Sequence, residues 1–389
     1  MASNVNIVHS IESLDHAKGG PSYSVTALAS AQQRLTSGKV AMVVGSVTGT
    51  PRLPDQQVCV SHAKARYLPL RMFETRNLVR NALAGENIVL HDHGIWLPHN
   101  LAACGYALRH RRPYVISPRG MLEPWTLGYH PARKKLARWL YQDRLLRNAS
   151  CLIATADREL ASIRTAGFRN PVAVIPNGID SDIPEPGPAT TQGTRTLLFL
   201  SRIHPVKGIV HLIEAWQVLR PTGWQLSIVG PDEGNYRSTL QDLVAKHDLQ
   251  HQIHFHDAVK GEAKYRCYQS ADAFVLPTYS ENFGLVIAEA LACGLPVITT
   301  NGTPWRGLIQ HRCGWYIDTG TETLVSALRD VFAAAPEMLR EMGQRGRSWM
   351  QSEFQWPAIA ASSLAVYEWI LGQRDQPPSC VDLCGSALS

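Results

Sequence analysis

No stretch of this 389-residue chain reaches the roughly 18 consecutive uncharged apolar residues that a membrane-spanning helix needs, so no helical span is expected. The opening MASNVNIVHS has neither a basic lead-in nor a long apolar run, and no secretory leader is read there. The eight cysteines (59, 104, 151, 267, 293, 313, 380 and 384) form no C-x-x-C pair. Neither a zinc site nor a disulfide framework is indicated, and reduced thiols in a cytosolic protein are the plain reading. G-x-G-x-x-G is missing after the first apolar run, where only KGGPSYSV stands; this argues against a nicotinamide-dependent dehydrogenase. Charged residues are 18% of the chain against 45% hydrophobic, which excludes a disordered polymer.

What is present is a moderately basic globular chain, net charge +6, long enough for two cores. That charge suits an anionic small molecule, a membrane surface or a nucleic acid without choosing among them. Short apolar runs alternate with helix-like stretches: NVNIVHS, KVAMVVGS, NIVLHDH, PYVISPRG and CLIATAD come first. RTLLFLSR, QLSIVGP, IHFHDAV, AFVLPT and PVITT follow. Helices are read over 22–34, 133–147, 208–219, 238–247 and 284–293. Buried strands separated by helices predict α/β domains with doubly wound parallel sheets. PNGIDSDIPEPGPATTQG, 176–193, breaks the rhythm and reads as a linker. The expected division is 1–181, 182–355, a helix over 356–372 crossing back to the first domain, and a disordered tail over 373–389. Ligands are expected beyond the carboxyl ends of the strands.

In the second half, SRIHPVKG puts Arg202 and Lys207 at a strand end before a helix. Two cations beside a helix start make an anion site, although an isolated pair of this kind is more often a solvated loop. TYSENFGLVIAEALACGLPVITT then sets Glu281 on a loop and Glu289 inside an apolar helix. The amides of Phe283, Gly284 and Leu285 fall at that helix start, and Gly284 permits close approach to the backbone. Taken singly, Glu281 reads as an acid at a helix N-terminus and Glu289 as a salt-bridged or partly exposed helix residue. Together with the cations they suit a phosphorylated, hydroxyl-rich ligand.

SRIHPVKG followed by the E-x7-E pattern of Glu281 and Glu289 resembles the large retaining glycosyltransferase family of the GT-B fold, family 4, over nearly the whole chain. The resemblance implies two Rossmann-like domains facing a central cleft. It further implies that Arg202 and Lys207 hold the donor diphosphate and stabilise the leaving nucleotide. Glu281, Asn282 and the amides of Phe283, Gly284 and Leu285 would position the donor sugar, and Glu289 its ribose. IHFHDAV would flank the base, with Asp257 where many relatives carry glycine.

In the first half, Gly19 and Gly20 stand between the first strand and a helix; a turn needing positive φ is the ordinary explanation, and the resemblance brings them near the donor phosphates. NIVLHDH ends in His91, Asp92 and His93. A metal is disfavoured, since no carboxylate or cysteine cluster accompanies them. The resemblance places His93 near the donor sugar in a positional and electrostatic role, and His91 reads as structural, satisfied by a backbone partner. SPRGMLEPWTLGY offers Ser117, Arg119 and Met121 to the acceptor, continued by Glu123, Trp125 and Tyr129. From Arg133 to Arg147 six cations and one acid mix with Leu136, Trp139, Leu140 and Leu145. Such a helix either lies on an anionic bilayer or packs on the sheet with a solvated basic face. Thr303 and Trp305 are read as bordering the ligand cleft, and Trp356 and Tyr367 as packing residues.

The expected reaction is transfer of a sugar from a UDP- or GDP-linked donor to a hydroxyl of a saccharide or lipid-linked saccharide. Retention comes from the resemblance, with His93, Arg202, Lys207 and Glu281 in the catalytic roles. No cofactor and no metal are expected, the nucleotide sugar being a co-substrate. Nucleic acid is disfavoured because no aromatic platform interleaves the cations. The expected setting is bacterial envelope polysaccharide or lipopolysaccharide synthesis, in the cytoplasm at the inner face of its membrane. A nucleotide-sugar epimerase and an inactive binding subunit remain the alternatives.

Overall fold

A computed structural model describes residues 3–15, 20–46, 57–128, 131–187 and 193–384. The chain divides into two compact units, residues 1–178 with 356–389 and residues 179–355. The boundary falls three residues before the expected one. Ile179 already belongs to the second core, and its N–H donates to Phe354 O at 2.7 Å.

The first unit carries strands β1 (Asn6–Ile11), β2 (Val40–Val44), β3 (Cys59–His62), β4 (Ile88–His93), β5 (Tyr114–Ser117), β6 (Cys151–Ala154), β7 (Val172–Val174) and β14 (Val381–Asp382). Their order is β14-β7-β6-β5-β4-β1-β2-β3, all parallel except β14. Strand side chains alternate between faces. Thus Ile7, Val89 and Val115 pack toward α1 (Gly20–Leu35) and α15 (Trp356–Ile370). Val8, Leu90 and Ile116 pack toward α2 (Leu68–Ala82), α3 (Pro98–Arg109) and α6 (Asp143–Arg147). The helix expected over 133–147 is interrupted: α5 (Pro131–Ala137) runs into a π-helical turn at Arg138–Gln142 before α6. Residues 373–384, expected as a disordered tail, instead end in β14, which pairs with β7 at the sheet edge. Arg164 fixes it by an ion pair to Asp382.

The second unit has β8 (Arg195–Leu200), β9 (Trp224–Val229), β10 (Ile253–His256), β11 (Ala273–Leu276), β12 (Val297–Thr300) and β13 (Gly314–Ile317), ordered β10-β9-β8-β11-β12-β13 and all parallel. Each sheet therefore runs outward in both directions from a central pair, β1 and β4 in one unit and β8 and β11 in the other. At such a reversal neighbouring loops diverge and leave a crevice beyond the strand ends. Both residue clusters described next lie at these two reversals.

Candidate functional site

In the second unit the loops after β8 and β11 are stitched together through their backbones. Val206 O accepts from Tyr279 N–H at 2.8 Å and from the Thr278 hydroxyl at 3.0 Å. A 3₁₀ turn, Pro205–Lys207, is capped by His204 Nδ1, which accepts from Val206 N–H at 3.1 Å. Gly208 follows at φ 68°, and a Cβ there would lie 2.1 Å from Pro277 O, so only glycine fits before α8 (Ile209–Leu219). This turn buries Lys207 to 4% exposure and sets its ammonium on Glu281 Oε2. Glu281 N–H donates to Gly302 O at 2.9 Å, which fixes the acid from the β12 side.

Gly284, at φ 80°, opens α11 (Leu285–Ala292); its carbonyl accepts from Ile287 N–H at 2.9 Å, and the amides of Leu285 and Val286 before that bond have no intrahelical acceptor. Phe283 is buried, and its carbonyl accepts from the Trp305 indole. Trp305 is itself 2% exposed, packed on Phe283, Trp349 and Phe354. Expected at the edge of a cleft, it is instead core, because its indole N–H has a carbonyl to satisfy it; Thr303 is buried as well. Asn282 Oδ1 is shielded from solvent with no hydrogen-bond partner among the described residues.

Glu289 is 6% exposed and doubly held: Lys264 Nζ lies 2.6 Å from Oε1, and the Tyr268 hydroxyl donates to Oε2 at 2.9 Å. Burial, then the adjacent carboxylate, pushes the Tyr268 hydroxyl well above its usual range, which keeps it a donor. Both grips come from α10 (Glu262–Gln269), one turn apart. The K-x3-Y spacing that supplies them was the available sequence signal. Each acid of the E-x7-E pattern thus has a lysine. Arg202 is about half exposed and pairs with Glu233 at 2.5 Å, an exchangeable contact in high dielectric. Asp257 is almost fully exposed and holds Arg237 at 2.7 Å.

In the first unit, strand register does what sequence separation hides. His9 on β1 stands opposite His91 on β4, and Ile11 opposite His93. His9, His91 and His93 share the face toward α1 and α15, with ring nitrogens within 4.8 Å of one another. They are occupied by hydrogen bonds. His93 Nε2 meets His9 Nδ1 at 2.9 Å, and His9 Nε2 meets Gln32 Oε1 at 2.7 Å. His91 is bracketed by the Tyr367 hydroxyl at 2.7 Å and Ser117 Oγ at 2.8 Å, side chains rather than the backbone partner expected. Arg119 Nη2 reaches His93 Nδ1 at 3.0 Å. Burial lowers all three imidazoles, His9 to about 4, and the nearby Arg119 charge lowers them further, so they are neutral at pH 7. A guanidinium in contact, and ring nitrogens already engaged in hydrogen bonds, make this a poor cation site. Tyr367, expected as packing only, is also a polar link. Asp92 points to the other face, accepting from Asn100 at 2.8 Å and Cys104 at 3.2 Å.

Met121 packs under Gly94, its sulfur accepting from Ile95 N–H at 3.3 Å. Ser117 is buried and Gly20 is exposed at the start of α1. Gly19 and Tyr129 lie outside the described residues.

Two family models match in tandem. One, described as glycosyl transferase 4-like domain, covers residues 19–178; the other, glycosyl transferases group 1, covers 185–349. The chain belongs to this glycosyltransferase family. Among curated proteins it is 28% identical to a D-inositol 3-phosphate glycosyltransferase of Arthrobacter sp. (strain FB24), over 59% of this chain and 58% of the relative. A glycogen synthase of Mycobacterium tuberculosis is 31% identical over 57% of this chain and 55% of its own. The chain thus spans little more than half the length of these relatives. Sucrose-phosphate synthase from Thermosynechococcus elongatus superposes with a TM-score of 0.77 at 20% identity, covering 95% of this chain and all of its own. Anabaena HepE in complex with UDP and glucose gives 0.74 at 16% identity, over 92% and 98%. These likenesses carry the fold, GT-B, and agree with two Rossmann-like parallel-sheet units.

Proposed function

We propose that this glycosyltransferase moves a sugar from a nucleoside diphosphate sugar to a hydroxyl of a saccharide or lipid-linked saccharide, with retention at the anomeric carbon. One observation carries the reading: Lys207 and Glu281 meet at the β8/β11 reversal beside the opening of α11. An ammonium has three donors, so Lys207 can keep Glu281 and still bind a phosphate oxygen. Arg202 and the free amides at Gly284 and Leu285 supply the remaining positive potential, so that charge developing on the leaving diphosphate is met without a divalent ion. Asn282 Oδ1 and Glu281 are acceptors for sugar hydroxyls. Glu289, fixed by Lys264 and Tyr268, offers its carboxylate to the ribose.

With so dense a positive site, the departing phosphate can take the acceptor proton on the face it leaves from. A pair of measurements tests the reading. A panel of nucleoside diphosphate sugars should raise the melting temperature for one donor, because only the folded state binds it. NMR of the product should then give the donor's anomeric configuration. An inverted product rejects retention, and donor turnover without acceptor selects the epimerase.

The lipid-linked form of the acceptor is supported by residues 131–142. Leu136, Trp139 and Leu140 are exposed, Trp139 at 81%, beside Arg133, Lys134, Lys135 and Arg138. Exposed apolar groups interleaved with cations suit an anionic bilayer surface, as in envelope polysaccharide synthesis at the inner face of the cytoplasmic membrane. No described helix is long and apolar enough to cross a membrane. The chain should co-sediment with vesicles of phosphatidylglycerol and phosphatidylcholine at low salt, but not with phosphatidylcholine alone. Trp139→Ala with Lys135→Glu should lower that binding about tenfold; unchanged binding removes this surface from the account.

A further inference from the structure

The polar groups buried between the first sheet and helices α1 and α15 have a direction. Arg119 can only donate, so His93 Nδ1 accepts at 3.0 Å. A neutral His93 then carries its proton on Nε2 and gives it to His9 Nδ1 at 2.9 Å. His9 in turn must carry Nε2–H, donated to Gln32 Oε1 at 2.7 Å. The Gln32 amide donates to Ser363 Oγ at 2.7 Å and to the Tyr367 hydroxyl at 3.4 Å, while Ser363 spends its own proton on Ala360 O. Tyr367 gives its proton to His91 Nδ1, and His91 Nε2–H ends the chain on Ser117 Oγ. The cation at the head dictates the tautomers of His93 and His9, and the Tyr367 and Ser117 hydroxyls, each able to donate and accept, continue the chain through His91.

Arg119 is the group so held. Its backbone sits at φ 54°, a left-handed conformation that a non-glycine residue keeps only when its surroundings over-determine it. Glu159 pins that turn, accepting from Gly120 N–H at 2.6 Å and from Thr155 N–H at 2.7 Å. Ser24 takes Arg119 Nη1 at 3.0 Å. Arg119 Nε is shielded from solvent and has no partner among the described residues. A polar chain this long, buried where apolar side chains would pack more cheaply, is retained at the β1/β4 reversal, where a ligand is expected.

We infer that His9, Gln32 and Tyr367 are positioning residues: their relay fixes the Nε2–H tautomer of His93 so that Nδ1 aims Arg119 at an oxygen-rich substrate group. With both ring nitrogens engaged, His93 serves as an orienting acceptor, not as the general base. The substrate consequence rests on the transferase reading, whereas the tautomers do not. Burial keeps the three imidazoles neutral; the charged or titratable groups facing them are Arg119, Tyr367 and His99.

Long-range ¹⁵N–¹H correlation spectra of the full chain labelled in histidine test this directly. At pH 7 the wild type should show His9, His91 and His93 as Nε2–H tautomers, assigned through His9→Asn and Tyr367→Phe. Asparagine places an oxygen where His9 Nδ1 stood, so His9→Asn should keep the His93 signature, while His9→Leu should lose it. In kinetics, His9→Leu should lower kcat/KM by about 10²-fold, as misplacement of an oriented group does, with most of the activity regained in His9→Asn. Should His9→Leu not fold, the wild-type, His9→Asn and Tyr367→Phe spectra decide alone. His93 protonated on Nδ1, or on both nitrogens, at pH 7 overturns the relay. So does stoichiometric Zn²⁺ uptake that shifts the three imidazoles. If wild-type transfer is never observed while the tautomers are as stated, the function has failed and the relay has not.

Discussion

Lys207→Ala should lower kcat by about 10³-fold, the range seen when a preorganised charge facing a developing oxyanion is removed. The expectation follows from the burial of Lys207, 4% exposed, on a turn that only Gly208 can close. A flexible surface lysine would be replaced by its neighbours or by solvent cations. This one cannot be, because its loop is bonded backbone to backbone to the β11 loop through Val206, Thr278 and Tyr279. Lys207→Arg retains the charge but swaps a compact ammonium for a planar fork in a closed space, so it should recover little of the rate. Glu281→Gln separates the two roles of the pair: it leaves the cation in place, and its loss should appear largely in donor KM. Steady-state kinetics on the three variants check this, and a Lys207→Ala enzyme within tenfold of wild type would refute it.

Trp305→Ala should have the largest effect on stability, about 3–5 kcal/mol for truncating a buried tryptophan. The indole fills the space among Phe283, Trp349 and Phe354, and its N–H satisfies the Phe283 carbonyl one residue before Gly284. For a unit of this size the melting temperature should fall by roughly 10 °C. Trp305→Phe keeps most of the volume and forfeits the hydrogen bond, so about 1 kcal/mol should be lost. Because that bond anchors the loop that opens α11, both variants should also weaken donor binding. Thermal unfolding with and without the donor separates the two effects. A Trp305→Ala protein as stable as wild type would mean that the aromatic cluster is not a cornerstone of the second unit.

The parallel sheets, the loops at strand ends and the pairing of SRIHPVKG with the E-x7-E helix were legible because each is local in sequence: apolar runs of strand length, a glycine at a helix start, cations at a fixed offset. Partners contributed by other elements were not. Lys264 and Tyr268 look like ordinary residues of a polar helix until α10 is laid beside α11. His9 is an unremarked strand residue until the β1–β4 register sets it opposite His91. The sign that was available was that NIVHSI and IVLHDH both place a histidine two positions after an apolar residue of the same face, His9 after Ile7 and His91 after Val89. Trp305 misled because it was read as bordering the ligand cleft, whereas the indole finds a carbonyl and becomes core. The tail misled by composition: its Pro and Ser content signals disorder, yet Val381 and Asp382 need only an open sheet edge and the Arg164 guanidinium to be held.

The most direct test of the donor site is a crystal structure of the full chain with a nucleoside diphosphate sugar bound. The diphosphate should lie within hydrogen-bond distance of Lys207 Nζ and the Gly284 and Leu285 amides, with the ribose hydroxyls on Glu289. A diphosphate bound elsewhere, with Lys207 still spent wholly on Glu281, would contradict it.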